Sequence, residues 1–340
     1  MNSVSVDRAE YPAPKQPSLL APIEDDLRAV EDRLFAATRS EIGRVRDISG
    51  HTLLSGGKRL RPALALLAAR LVGRTFPAER AYAAASAAEM IHMASLMHDD
   101  VVDEAPERRG RPTANSVFGN GITVLTGDFL LAKSISLLAH NDENLAIVRV
   151  FSDVTVGMAE GEVLQASVAH DLTITPETYE EVIRRKTALF LAGCCETGAM
   201  VGGGTPDEVV ALQQYGLHLG VAFQIADDLL DFLGDPKNTG KPLGTDLKDG
   251  RVTLPLIQTL AVSDAETRST LTELFNRQDL NDTDIATITG IIARSGGFEY
   301  ARHEAEAHAE RAVRRLDAFA PTPFKETLEN LARYVTARDR

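Results

Sequence analysis

Tryptophan is absent from the 340-residue chain, aromatic residues make up only 5%, and the only cysteines are Cys194 and Cys195. So few aromatic side chains, beside abundant alanine and leucine, disfavour sheets and favour helices. Adjacent cysteines make a poor structural cross-link. A disulfide-stapled secreted domain is therefore excluded, and a reducing cytoplasm is the expected setting. Long uncharged apolar runs are missing as well, so no transmembrane segment is expected. Positive charge is in deficit. The formal net charge is −13, which repels nucleic acid and anionic lipid on average. Nucleic acid is not an expected partner, and any phosphate must be held by local bases or metal ions.

What the chain does have is helical periodicity. Apolar residues recur three and four apart between charges over residues 23–48, 59–72, 78–102, 122–140, 145–168 and 176–200. The pattern continues over 206–233, 254–261, 282–294, 298–318 and 323–337, and no alternating stretch competes with it. The fold class is all-α. Residues 1–22, rich in proline and polar side chains and without the apolar core of a signal peptide, read as a disordered tail. No linker divides residues 23–340, which read as a single domain. One long break, 234–251, is too charged and too rich in glycine and proline for a core element, which makes it functional or disordered.

Two acidic clusters carry the chemistry. Asp99-Asp100-Val101-Val102-Asp103 closes one apolar stretch, and Asp227-Asp228-Leu229-Leu230-Asp231 closes another. Residues four apart share a helix face, so Asp99 pairs with Asp103 and Asp227 with Asp231, while Asp100 turns aside. Left alone, such carboxylates repel each other. One cluster would read as a solvated acidic helix end, but two copies in strongly apolar helices point to a hard cation. Mg²⁺ takes one or two carboxylates, keeps some water and draws its remaining oxygens from phosphates. Zinc-type histidine and cysteine spacing is missing, as is the glycine-spaced loop of a calcium hand.

Bases accompany the acids. "GGKRLRP" (56–62) sets Lys58, Arg59 and Arg61 at a glycine-led helix start, and Arg108, Arg109 and Arg111 follow the first cluster. Arginine suits bidentate phosphate contacts, lysine acts as a point charge, and helix N-terminal amides add anion affinity. Taken singly, several candidates have plainer readings. The GGKRLRP bases suit an ordinary helix start, His92 a core histidine, and Thr187 a hydroxyl bonded to its own helix. Gln224 suits an interhelical contact and Lys186 a solvated basic run. Glu162 and Gln165 suit a cavity wall or a plain surface equally, and Asp246 and Lys248 are candidates to order the long loop over bound diphosphate.

"GGKRLRP", "HDDVVDEAPERRGRPTAN", "RRKTALF", "FQIADDLLDFLGD" and "GKPLGTDLKDGR" stand in the order found in trans-prenyl diphosphate synthases. The chain resembles that family, above all its long-chain polyprenyl members. The resemblance implies the isoprenoid synthase fold, with helices surrounding a deep central cavity. It also implies a Mg²⁺-dependent prenyltransferase. A geranyl, farnesyl or geranylgeranyl diphosphate ionises, the double bond of isopentenyl diphosphate attacks its cation, and a proton leaves. By the same resemblance Asp99, Asp103 and Asp227 are metal ligands, with Asp231 beside them and Asp100 in support. Three Mg²⁺ ions are implied with substrate bound. Lys58, Arg61, His92 and Arg109 match positions that hold isopentenyl diphosphate, and Arg108, Lys186 and Lys241 match those that grip the allylic diphosphate. Thr187 and Gln224 match groups whose oxygen dipoles face the cation.

Chain length is implied by the turns before Asp99. Ile91, Ala94 and Ser95 lie there, and Ala94 and Ser95 are small where short-chain members often carry a blocking aromatic residue. The expected product is hexaprenyl to decaprenyl diphosphate, a quinone side-chain precursor made by a homodimer. The alternatives are a geranylgeranyl or farnesyl diphosphate synthase and a catalytic subunit of a heteromeric synthase. A terpene cyclase would share one cluster but normally lack the second and GGKRLRP, and a non-catalytic partner subunit would lose aspartates.

Overall fold

The structure is a computed structural model that describes residues 18–141, 145–234, 243–277 and 279–337. The periodic stretches become helices. These are α1 (Glu24–Ala37), α2 (Gly43–Leu54), α3 (Leu60–Val72), α4 (Ala78–Val102), α5 (Ala114–Phe118) and α6 (Asn120–Asn141). They continue as α7 (Ala146–Ser167), α8 (Pro176–Ile183), α9 (Leu189–Val201), α10 (Pro206–Leu233) and α11 (Thr245–Lys248). The last are α12 (Leu254–Val262), α13 (Ala265–Phe275), α14 (Asp282–Arg294), α15 (Gly297–Arg315) and α16 (Pro323–Thr336). Among the described residues the only strands are β1 (Glu107–Arg108) and β2 (Arg111–Pro112), paired antiparallel.

Local chemistry sets several boundaries. Side chains of Thr175, Asp264 and Asn281 cap α8, α13 and α14 by accepting first-turn backbone N–H groups. The stretch 23–48, expected as one helix, breaks between α1 and α2, where the Ser40 hydroxyl accepts the Ile42 N–H. Helix α13 was not anticipated, although Asp264 is a plain start signal. Residues 18–22, assigned to the disordered tail, instead form part of a 3₁₀ turn over Ser18–Ile23. Leu20 and Ile23 are 2% and 1% exposed, so apolar burial orders this segment. The rest of the expected tail, residues 1–17, lies outside the described residues.

The chain divides into two compact units. The first comprises the described residues up to Asp153, with Gly193–Gln213 and Ala318–Leu328. There the alanine-rich α4 packs against α1, α3 and α6. It is buried on most faces from Ala81 to Asp100, as a helix apolar all round should be. By length and composition alone α6 is long and apolar enough to cross a membrane, although Asp128 and Lys133 interrupt it. Its buried stripe of Thr123, Thr126, Gly127, Leu130, Ser134 and Leu138 is packed within the first unit. The second unit comprises Val154–Ala192, Gln214–Asp317 and the described residues from Glu329. Its core draws on α8, α10, α12, α13, α14 and α15, including Phe232, Ile257, Ile288 and Phe298.

Candidate active site

In the first unit the glycine-led turn before α3 is held by a buried arginine. Arg59 is 4% exposed and adopts the left-handed region (φ 49), which non-glycine residues seldom visit. Its Nε donates to Glu31 Oε1 at 2.5 Å and its Nη1 to Glu89 Oε1 at 2.7 Å. The Arg59 guanidinium therefore anchors the turn, and Lys58 stands exposed beside it. Arg61 lies deeper. Burial lowers its pKa, and the Glu89 carboxylate acts against that.

The Arg108–Arg111 run forms a tight hairpin. Arg109 and Gly110 both have positive φ (55 and 70), as a two-residue turn of the primed type demands. Arg111 Nη1 donates to Leu54 O and His51 Nε2 contacts Pro112 O, both at 2.8 Å, while Arg109 Nη1 donates to Gly56 O. These bonds tie the hairpin to α2 and the glycine turn. Together they border a small cleft lined by His51, Gly56, Glu89, His92, Arg108 and Arg109 among others. His92 Nδ1 is buried without a hydrogen-bond partner. Burial first, then the Arg61, Arg109, Arg108 and Arg59 guanidiniums, holds His92 well below the usual histidine range. A neutral imidazole with bonding capacity left over, ringed by guanidiniums, suits an anion.

The first aspartate cluster ends α4. Asp99 is half-buried, and Asp103 is exposed at the C-cap with its N–H on Asp99 O at 2.8 Å. Asp100 is 5% exposed and accepts Arg108 Nε at 2.7 Å, so one edge of Arg108 is committed to this support. One and two turns back, Ala94 and Ile91 are 2% and 3% exposed. Ser95 is half-buried and donates to His92 O at 2.9 Å.

In the second unit the run from α8 to α9 is interrupted by one π-helical turn, Arg184–Ala188, which carries Lys186 and Thr187. Two glycines let neighbouring backbones close on it. A Cβ on Gly161 of α7 would lie 2.7 Å from Lys186 N, and one on Gly220 of α10 would lie 2.4 Å from Ala188 Cα. Such single π turns often mark functional positions. Lys186 Nζ pairs with Glu162 Oε1 at 2.8 Å and reaches Gln165 Oε1 at 3.4 Å. Thr187 Oγ1 donates to Gln224 Oε1 at 2.9 Å, and Gln224 Nε2 donates to Asp228 Oδ1 at 2.9 Å.

Asp227 is exposed on α10. Asp231 accepts the Thr245 and Asp246 N–H groups at 3.2 and 3.1 Å, fixing the start of α11. Asp246 in turn accepts Arg251 Nη1 at 3.2 Å. Burial raises the Asp246 pKa, and the Arg251 charge opposes the rise. The candidate Lys241 lies outside the described residues.

A model of the family described as "Polyprenyl synthetase" matches residues 43–292. The chain belongs to the polyprenyl synthetase family. It is 36% identical to an all-trans-nonaprenyl-diphosphate synthase (geranyl-diphosphate specific) of Rhodobacter capsulatus, covering 94% of this chain and 97% of that protein. It is also 36% identical to the octaprenyl diphosphate synthase of Escherichia coli (strain K12), covering 93% and 96%. A crystal structure of a polyprenyl synthase from Caulobacter crescentus CB15, complexed with calcium and isoprenyl diphosphate, superposes with TM-score 0.90 at 33% identity, covering 97% and 100%. The fold is the all-α isoprenoid synthase fold, and the protein is a prenyltransferase.

Within this polyprenyl synthetase no three His, Cys, Asp or Glu side chains converge among the described residues. Each cluster instead offers one or two carboxylates on an accessible face. That donor set fits Mg²⁺ if substrate phosphates complete its shell. Two groups escaped the sequence reading. Tyr179 donates to Asp228 Oδ2 at 2.6 Å, and burial, reinforced by Asp246, pushes the Asp228 carboxyl well above its usual range. His170 donates its N–H to Gly250 O at 2.8 Å with its ring over that glycine, where a Cβ would lie 2.2 Å from the ring. The spacing of Gln224 and Asp228 was the one signal for the first; nothing in the sequence marked the second.

Proposed function

We propose that this polyprenyl synthetase condenses isopentenyl diphosphate with an allylic diphosphate, using Mg²⁺, to make a long-chain all-trans polyprenyl diphosphate. The observation that carries the reading is the first-unit cleft, which gathers the unpartnered His92 Nδ1 with the Arg59, Arg108 and Arg109 guanidiniums and so suits an anion. Lys58, Arg61, His92 and Arg109 bind isopentenyl diphosphate there. Arg108, steadied by Asp100, and Lys186 grip the allylic diphosphate, with Lys241 joining them by family resemblance. Asp99, Asp103 and Asp227 hold the metal, while Asp231 secures the segment that carries Asp246. Bound Mg²⁺ neutralises charge on the departing diphosphate. Thr187 and Gln224 turn oxygen dipoles toward the allylic cation, the kind of fixed electrostatics that lowers such a barrier.

Small side chains at Ala94 and Ser95, with the octaprenyl and nonaprenyl relatives, support a product longer than geranylgeranyl diphosphate. A cytoplasmic homodimer is the working assembly. The test is to incubate the purified chain alone with Mg²⁺, isopentenyl diphosphate and geranyl or farnesyl diphosphate, then size the dephosphorylated alcohols. Hexaprenyl to decaprenyl alcohols are expected. Products ending at geranylgeraniol would overturn the long-chain reading, and turnover only with a second, different chain would overturn the homodimer.

A further inference from the structure

We propose that Asp228 and Tyr179 are positioning residues that fix the amide of Gln224, and through it the hydroxyl of Thr187, so that both present oxygen lone pairs to the reacting allylic carbon. This deepens the role given above to Thr187 and Gln224 and rests on it.

The argument is one of donors and acceptors. A glutamine amide has a donor edge and an acceptor edge of nearly the same shape, and a flip exchanges them. Gln224 Nε2 donates to Asp228 Oδ1, and Gln224 Oε1 accepts from Thr187 Oγ1. Flipping the amide would set Oε1 against a carboxyl oxygen that also accepts. Tyr179 makes this discrimination independent of charge state. Its hydroxyl lies 2.6 Å from the other carboxyl oxygen, Oδ2. A hydrogen resides between Tyr179 and Oδ2 whichever of the two carries it, so Oδ1 remains an acceptor for Gln224. Thr187 has a single hydroxyl hydrogen and spends it on Gln224 Oε1, which leaves its own lone pairs outward.

The burial pattern agrees. Tyr179, Asp228 and Thr187 are 5%, 6% and 8% exposed, so water is kept from the groups that hold the half-buried Gln224 amide. Asp227, next in sequence to Asp228, is exposed instead. Asp228 thus faces away from the metal-binding side of its own motif, toward α8 and the π turn.

Steady-state kinetics on purified full-length variants test this. Asp228→Leu should lower kcat by roughly 10²-fold, the scale of losing one preorganised dipole, with both KM values within about threefold of the parent. Asp228→Asn should restore most of the rate, since its Oδ1 still accepts from Gln224 and its amide N–H meets the Tyr179 oxygen. Tyr179→Phe should fall between these and keeps the core filled. In a Gln224→Leu background, Asp228→Leu should cost nothing further, because the group it orients is gone. Multiplicative losses in that double variant would overturn the proposal, as would an Asp228→Asn enzyme as impaired as Asp228→Leu. A Gln224→Leu enzyme with unchanged kcat would instead remove the role assigned to Gln224 itself, and the positioning proposal with it.

Discussion

The two aspartate clusters share one five-residue pattern and the same kind of setting, near the end of a long apolar helix, yet their side chains are committed differently. In the first, the middle residue Asp100 is buried against a cation, Arg108. In the second, the middle residue Asp228 is buried against neutral donors, Tyr179 and Gln224. The closing residues differ as well. Asp103 stands exposed at the end of α4, whereas Asp231 accepts two backbone N–H groups and pins α11. Helical spacing decides which carboxylates share a face, but the elements packed behind them decide what each one does.

The sharpest way to break this comparison is to remove the facing carboxylates. Asp99→Ala with Asp103→Ala should lower turnover by roughly 10³-fold or more, since metal-borne stabilisation of the leaving group amounts to several kcal/mol. Helicity by circular dichroism should persist, because clustered like charges are relieved. Asp227→Ala should do the same and weaken allylic substrate binding more than isopentenyl diphosphate binding. Retained turnover in either variant would refute the metal assignment.

A second contrast lies within GGKRLRP. Arg59→Met removes the guanidinium that bridges the buried Glu31 and Glu89 carboxylates, and should cost about 3–5 kcal/mol in urea unfolding. Lys58→Ala should leave unfolding unchanged and raise the KM for isopentenyl diphosphate, with a loss of about 1.5–3 kcal/mol in binding. The opposite pattern would reverse which base is structural and which binds substrate.

Most helices were legible because the apolar period reports directly on which residues share a side. The π turn at Arg184–Ala188 was not, since its cause lies in glycines on other helices, Gly161 and Gly220, that admit its backbone. The tie between Asp231 and the α11 amides was hidden for the same reason: sequence spacing does not reveal a contact across a loop. Arg59 and Arg61 looked equivalent in sequence, and only the acids brought from α1 and α4 make the first an anchor.

A smaller effect concerns pH and belongs to the second unit. His218 and His308 meet through their Nδ1 atoms at 3.3 Å. Burial, then the Arg311 charge and His218, holds His308 down to about 4, against an ordinary value of 6.5. Burial and the Arg315, Arg311 and Arg314 charges also lower His218. Between these pH values the unfolded chain binds more protons than the folded one. Stability is therefore full above about pH 6.5 and falls as pH drops toward 4, by roughly 1–3 kcal/mol. A His308→Phe variant should flatten that slope in urea melts taken from pH 7 to pH 4.5, and an unchanged slope would place the titration elsewhere.

The most direct test of the difference between the clusters is to make the same change at both middle positions and compare kinetics. Asp100→Asn removes the charge that steadies Arg108 and should raise the allylic KM by about 10-fold, while Asp228→Asn should leave both KM values and most of kcat in place. Equal losses in the two variants, or a larger loss at Asp228, would contradict the claim that one middle aspartate secures a phosphate-gripping arginine and the other orients an amide.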